Sequence, residues 1–134
     1  MAETTLVGRM GFASGQAVAE VGYDEDCDQG LREVVEKVTG NVLVGEDFDG
    51  MVDAVLLWHR EGDGELADSL EDAKSVVASG GTVWLFTPKA GRDGHVDLGD
   101  IEEGLTTAGL SRTESTSVLP DWNGTRITVP GNSR

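Results

Sequence analysis

The stretch MVDAVLLWHREGDGELADSLEDAKSVVASGGTVWLFTPK, residues 51–89, decides the fold. Its opening, VDAVLLW (Val52 to Trp58), is a continuous apolar run of strand length, the kind buried on both faces of a parallel sheet. The next segment changes period. In GDGELADSLEDAKSVVASGG, Leu66, Leu70, Ala73 and Val77 fall on one helical face that begins beside Asp63, and the helix is expected to stop at Gly80 and Gly81. TVWLFT (Thr82 to Thr87) returns to β-branched and aromatic residues and is cut by Pro88, which predicts a second buried strand. Two apolar strands joined through a helix form a parallel βαβ unit with a right-handed crossover.

Toward the N-terminus the pattern repeats. Gln16 to Gly22, with Val18 and Val21 apolar, reads as a short strand ending at Gly22. From Asp26, a candidate N-cap, DCDQGLREVVEKVTG places Leu31, Val34, Val35 and Val38 on one helix face, and Gly40 stops it. Asn41 to Gly50 reads as a connection. Toward the C-terminus, Ile101, Leu105 and Ala108 stand in helical register over Asp100 to Ala108, with Gly109 behind them. Leu110 to Val118 and Thr125 to Val129 then pair as an antiparallel hairpin around a turn at Pro120 to Gly124. The expected fold is α/β and Rossmann-like: a mostly parallel sheet of about five strands with helices packed on it and a C-terminal antiparallel hairpin. Residues 1–15 read as an irregular N-terminal arm, 16–130 as a single α/β domain and 131–134 as a tail.

Composition narrows the function. A chain of 134 residues with 38% hydrophobic content builds one ordinary core. Its 25 acidic and 10 basic residues give a net charge of −15, which repels phosphate backbones and disfavours direct nucleic-acid binding. The acidity is either a solvated, solubilising surface or a face that imitates nucleic acid for a basic partner. No run approaches the roughly 20 apolar residues of a membrane span, and Met1 to Gly11 has no apolar signal core, so the expectation is a cytoplasmic protein without membrane contact. The one cysteine, Cys27, has no intramolecular disulfide partner, and His59 and His95 stand far apart. Neither a structural metal nor a cofactor is expected.

From Met51 to Val129 the succession MVDAVLLWH, a helix, SGGTVWLFTPK, a helix ending AGL, and two closing strands resembles the C-terminal half of class I methyltransferases. In those enzymes a glycine-rich turn after the first strand and an acidic residue ending the second strand hold the adenosyl cofactor. Those features have no counterpart here, and after Val21 the chain reads GYDEDCD. Over nearly the whole chain, the phrases GQAVAEVGYDEDCD, VDAVLLWHREGDGEL, TVWLFTPKAGRDGHVDLGDIEEG, TAGLS and DWNGTRITVP resemble the actinobacterial family of the domain of unknown function numbered 3052. That resemblance implies the fold and carries no activity.

Ligands of open parallel sheets sit beyond the carboxyl ends of the strands, a rule that gathers the loops Gly22 to Asp28, Trp58 to Gly64 and Pro88 to His95. The ligand-binding candidates are Tyr23 and Asp24 in the first loop, Trp58, His59 and Arg60 in the second, and Lys89, Arg92 and His95 in the third. Cations among exposed loop amides suit a carboxylate or phosphate; the alternative is a solvated turn whose cations pair with neighbouring acids. Asp24, Asp26 and Asp28 with Gly30 nearly follow a calcium loop, but the glycine falls one place late and the twelfth position is Val35. They read instead as carboxylates at a helix entry. Cys27 has acidic neighbours that oppose a thiolate and is expected to pack. His59 is a candidate base without an assigned partner. Trp84 reads as core, whereas Trp122, beside Gly124 in the expected turn, reads as exposed and is the partner-binding candidate. No GxSxG elbow, HExxH or P-loop is present. The leading expectation is a noncatalytic binding or regulatory domain that works through a partner protein or a small anionic ligand. One alternative is a small enzyme, methyltransferase-like or other, using His59, Arg60, Lys89 and His95 on an anionic substrate. Another is an acidic, nucleic-acid-mimicking module that forms a homodimer.

Overall fold

The computed structural model describes residues 12, 14–22, 29–45, 51–62, 64–110, 112–116 and 122–129. In chain order these form β1 (Val18–Val21), α1 (Gln29–Thr39), β2 (Val52–Trp58), α2 (Leu66–Val76), β3 (Val77–Pro88), α3 (Leu98–Thr107), β4 (Arg112–Thr116) and β5 (Trp122–Thr128). The sheet order is β1-β2-β3-β5-β4. β1, β2 and β3 run parallel, and β5 lies antiparallel between β3 and β4. This is the expected Rossmann-like sheet with its antiparallel hairpin. The candidates Tyr23 and Asp24, together with Asp26, Cys27, Asp28 and the tail, lie outside the described residues.

The apolar run of β2 is explained by cover on both sides of the sheet. Val55 and Leu57 join Val83, Leu85 and Ile127 in a core covered by Leu66, Leu70 and Ala73 of α2 and Ile101 and Leu105 of α3. Ala54, Leu56 and Trp58 join Trp84, Phe86 and Trp122 in a second core, covered by Leu31 and Val35 of α1. Only a strand buried on both faces has no use for polar alternation, and in β2 the one exposed residue is Asp53. α1 ends at Thr39, whose hydroxyl donates to the Val35 carbonyl at 2.9 Å, and the Gly40 N–H returns to the Glu36 carbonyl at 2.8 Å.

Two elements differ from the sequence reading. The helix expected to reach Gly80 ends at Val76, and Val77 is the first residue of β3, paired with Val52. Val77 is buried in the same core as Leu70 and Ala73, so the spacing 66, 70, 73, 77 reports a shared core face across a helix-to-strand junction that has no loop. The expected turn at Pro120 to Gly124 is already strand from Trp122, with Asn123 and Gly124 paired to Thr87 and Phe86. Glycine suits the strand here because a Cβ at position 124 would stand 3.3 Å from the Trp84 and Phe86 rings. Trp122 is accordingly 1% exposed, which overturns its reading as a surface residue. Within the expected connection after α1, Val44 forms an isolated parallel bridge to Ala19 on the free side of β1.

Candidate functional site

Beyond the carboxyl end of β2, the chain keeps the alternation of the strand for two more residues and so divides the candidates between the two faces. Trp58 belongs to the core beneath α1, stacked on Phe86 with ring centroids 4.6 Å apart and meeting Trp122 edge-on at 5.0 Å. Arg60 turns toward the same side. Its Cζ lies 5.2 Å from the centre of the Trp122 ring, and its Nη1 donates to the Gly22 carbonyl at 2.9 Å. Arg92 approaches the same ring at 5.8 Å. The loops that carry these arginines are joined, since the Glu61 N–H donates to the Gly94 carbonyl at 2.8 Å. Both guanidinium groups therefore lie within cation–π range of one ring, that of Trp122. Lys89 follows directly after Pro88 and is half-buried. His95 ties its loop back to the strand end, with Nδ1 2.9 Å from the Pro88 carbonyl and Nε2 3.4 Å from Asp97. All three tryptophans are buried to 1%, so none offers an exposed ring, and a partner surface built on an exposed Trp122 loses its premise.

Sequence reasoning missed Glu20. It is the one acid in the apolar strand VAEV and is 8% exposed. Its carboxylate accepts Arg32 Nε at 2.8 and 2.9 Å and Trp58 Nε1 at 2.9 Å, so the buried charge is paired and hydrogen-bonded. The only sequence signal was an acid where alternation asks for an apolar residue. One residue beyond β1, Gly22 has φ +82, and a Cβ there would stand 2.3 Å from the Trp58 carbonyl oxygen. The ends of β1 and β2 are thus closed on each other.

The opposite face is open. Between the loop after β2, the first turn of α2 and the exposed side of α3 lies a cleft of about 450 Å³. His59, 3% exposed and held by its N–H to the Phe86 carbonyl at 2.9 Å, is part of its wall. Among the described residues, four carboxylates line it, Glu61, Glu65, Asp100 and Glu103, and no lysine or arginine does. Gly104 lets α3 close on α2, because a Cβ there would stand 3.1 Å from the Leu66 side chain. One strand over from His59, Thr87 is 1% exposed, and its hydroxyl has no hydrogen-bond partner. By the alternation of β3, Thr87 stands on the face of Val83 and Leu85, the face that carries His59. The acids were legible only as polar positions of the loop before α2 and of α3. Their convergence follows from α2 and α3 packing side by side on one face of the sheet. Among the described residues, no group of three or more His, Cys, Asp or Glu is placed to hold a metal ion, and no helix is long and apolar enough to cross a membrane.

Comparison with solved structures places the fold. The chain is similar to the pyocyanin biosynthetic protein PhzM, with a TM-score of 0.69 and 15% identity over 96% of this chain, although it spans only 54% of that protein. It is also similar to the cyclopropane synthase MmaA2 from Mycobacterium tuberculosis (TM-score 0.61, 11% identity, 94% of this chain and 82% of that one). A SAM-dependent methyltransferase from Aquifex aeolicus gives a TM-score of 0.59 at 14% identity, over 95% of this chain and 89% of that one. The sheet is therefore class-I-methyltransferase-like. In sequence, the chain is 42% identical over 122 residues to the uncharacterized protein Rv2239c of Mycobacterium tuberculosis, covering 91% of this chain and 77% of that protein. An uncharacterized protein of Mycobacterium bovis, Mb2263c, matches equally. With residues 7–131 matching the model of the protein family of unknown function DUF3052, the chain belongs to that family.

Proposed function

We propose that this protein is a small enzyme on a methyltransferase-like sheet, acting on a small molecule that enters the cleft between α2 and α3, where His59 accepts or returns a proton. The observation that carries this reading is the placement of His59. It sits at the carboxyl end of a central parallel strand, nearly excluded from solvent, in the wall of a cleft of ligand size. An imidazole has one nitrogen that accepts a proton and one that donates, which suits it to moving a proton in a site. Its backbone is fixed to β3 through the Phe86 carbonyl, so the ring is carried on the rigid sheet rather than on a free loop. The solved neighbours are named as methyltransferases and a cyclopropane synthase, which supports a catalytic use of the sheet. A second reading is noncatalytic binding of a small anion by Arg60 and Arg92, favoured by the gathering of two guanidinium groups over Trp122 in a chain of net charge −15.

The test is a thermal-shift screen of amines, carboxylates, nucleotides and adenosyl compounds, with mass spectrometry of each mixture to detect turnover. A ligand present at about 100 times its Kd stabilises the folded state by about 2.7 kcal/mol. The expected result is a hit whose conversion is abolished in His59→Gln while circular dichroism stays unchanged. Conversion at the wild-type rate in His59→Gln overturns the proposal. Binding without conversion that disappears only in an Arg60→Gln, Arg92→Gln double variant establishes the second reading in its place.

A further inference from the structure

We infer that Asn123-Gly124 is a self-modification site that the folded sheet holds shut: a chain in which β5 has left the sheet deamidates itself at Asn123 and loses the strand for good. Of the three asparagines, Asn41, Asn123 and Asn132, only Asn123 precedes a glycine. Asparagine is among the thermolabile residues, and its weakness is intramolecular. The backbone nitrogen of the next residue gives up its proton to base and attacks the side-chain carbonyl carbon; a C–N bond forms, and the amide nitrogen leaves as ammonia. The product is a cyclic imide. Water opens that ring at either carbonyl, so the net change is one water taken up and one ammonia lost, leaving aspartate or isoaspartate. A following side chain would crowd the attack, and glycine has none.

In the fold the attack has no path. Ring closure needs the ψ angle of Asn123 to turn well away from the strand value of roughly +135°, so that the Gly124 nitrogen faces the side-chain carbonyl. Asn123 and Gly124 are in register with Thr87 and Phe86 of β3, and Gly124 is also in register with Thr116 of β4. Turning one residue of this inner strand breaks the pairing on both sides. The reactive pair is also imposed by the core. A Cβ at position 124 would stand 3.3 Å from the rings of both Trp84 and Phe86, so the aromatic packing demands the glycine that makes its neighbour labile. Either product opposes refolding. Aspartate places a carboxylate at a half-buried position in register with Thr87, which is 1% exposed. Isoaspartate adds an atom to the main chain just ahead of residues 124–128, whose pairing with β3 and β4 runs on from that point.

The experiment holds the full chain at mildly alkaline pH, folded in buffer and unfolded in guanidinium chloride, and follows the Asn123 peptide by mass spectrometry as its amide becomes an acid. The folded rate is the unfolded rate scaled by the fraction of chains with β5 open, so it is expected to be lower by about a thousandfold or more. Samples diluted back into buffer report refolding through tryptophan fluorescence. Recovery is expected to decline in step with modification in the wild type and to hold steady in Asn123→Gln, whose longer side chain closes a ring far more slowly; Asn123→Ser replaces it should that variant not fold. A folded chain that deamidates within about tenfold of the unfolded one overturns the inference, since folded domains open far less often than that. Modified chains that refold as fully as unmodified ones, or recovery that declines equally in Asn123→Gln, overturn it as well.

Discussion

Alanine at position 22 would meet two separate penalties, and a second glycine separates them. Gly22 has φ +82, a conformation that costs an L-residue on the order of 1 kcal/mol. Its Cβ would also stand 2.3 Å from the Trp58 carbonyl oxygen, well inside contact distance, against backbone that belongs to the central strand and cannot swing aside. Relief requires spreading the ends of β1 and β2, which also strains the bond from Arg60 to the Gly22 carbonyl. Overpacking of this kind costs about 1–3 kcal/mol, so Gly22→Ala should lose about 2–4 kcal/mol in all. Gly15 has φ +90, but a Cβ added there would find nothing within 4 Å, so Gly15→Ala should lose only the backbone part, about 1 kcal/mol. Equilibrium urea denaturation followed by tryptophan fluorescence measures both, since the three tryptophans are buried. Should the two variants lie within about 0.5 kcal/mol of each other, the closure of β1 on β2 would be refuted.

Glu20→Gln should destabilise by about 1–3 kcal/mol in the same assay, because it removes the charge opposite Arg32; the loss stays modest because the Arg32 side chain is 25% exposed. Trp122→Ala should cost about 3–5 kcal/mol, where a surface residue would cost almost nothing. Arg60→Ala should instead leave most of the stability intact and shift tryptophan emission to the red, as water reaches a ring the guanidinium covers. Thr87→Val should be neutral or stabilising by up to about 1 kcal/mol, since it removes a buried hydroxyl without a partner; a loss larger than about 1 kcal/mol would show that the hydroxyl is bonded.

The strands were legible wherever burial on both faces left a continuous apolar run, as in Val52–Trp58, whose observed ends match the reading. Boundaries failed where one core is served by two kinds of element. Val77 continues the helical spacing of Leu66, Leu70 and Ala73 because it reaches the same core, but it does so as the first residue of a strand paired with Val52. Trp122 failed for a related reason: Asn123-Gly124 looks like turn chemistry, yet the missing side chain at 124 makes room for two rings. At the site, the rule that ligand loops gather at strand ends singled out the loops of Arg60 and Arg92, and both side chains reach the Trp122 ring. Their separation from His59 did not, because alternation across the last residues of β2 was not carried past Trp58. The convergence of acids from a loop and from α3, and an ion pair between β1 and α1, are tertiary facts, and no local pattern announces them.

The position of β5 has a consequence for how the molecule is made. Among the described residues it is the last strand in chain order, yet it lies inside the sheet, bonded to β3 on one side and β4 on the other. During synthesis from the N-terminus, β1, β2 and β3 can pair in the order in which they emerge, but β4 has no neighbour to join until β5 has followed it. The ribosome must therefore release residues 122–128 before the aromatic layer of Trp58, Phe86 and Trp122 can assemble, and until then β3 presents a bare hydrophobic edge to the cell.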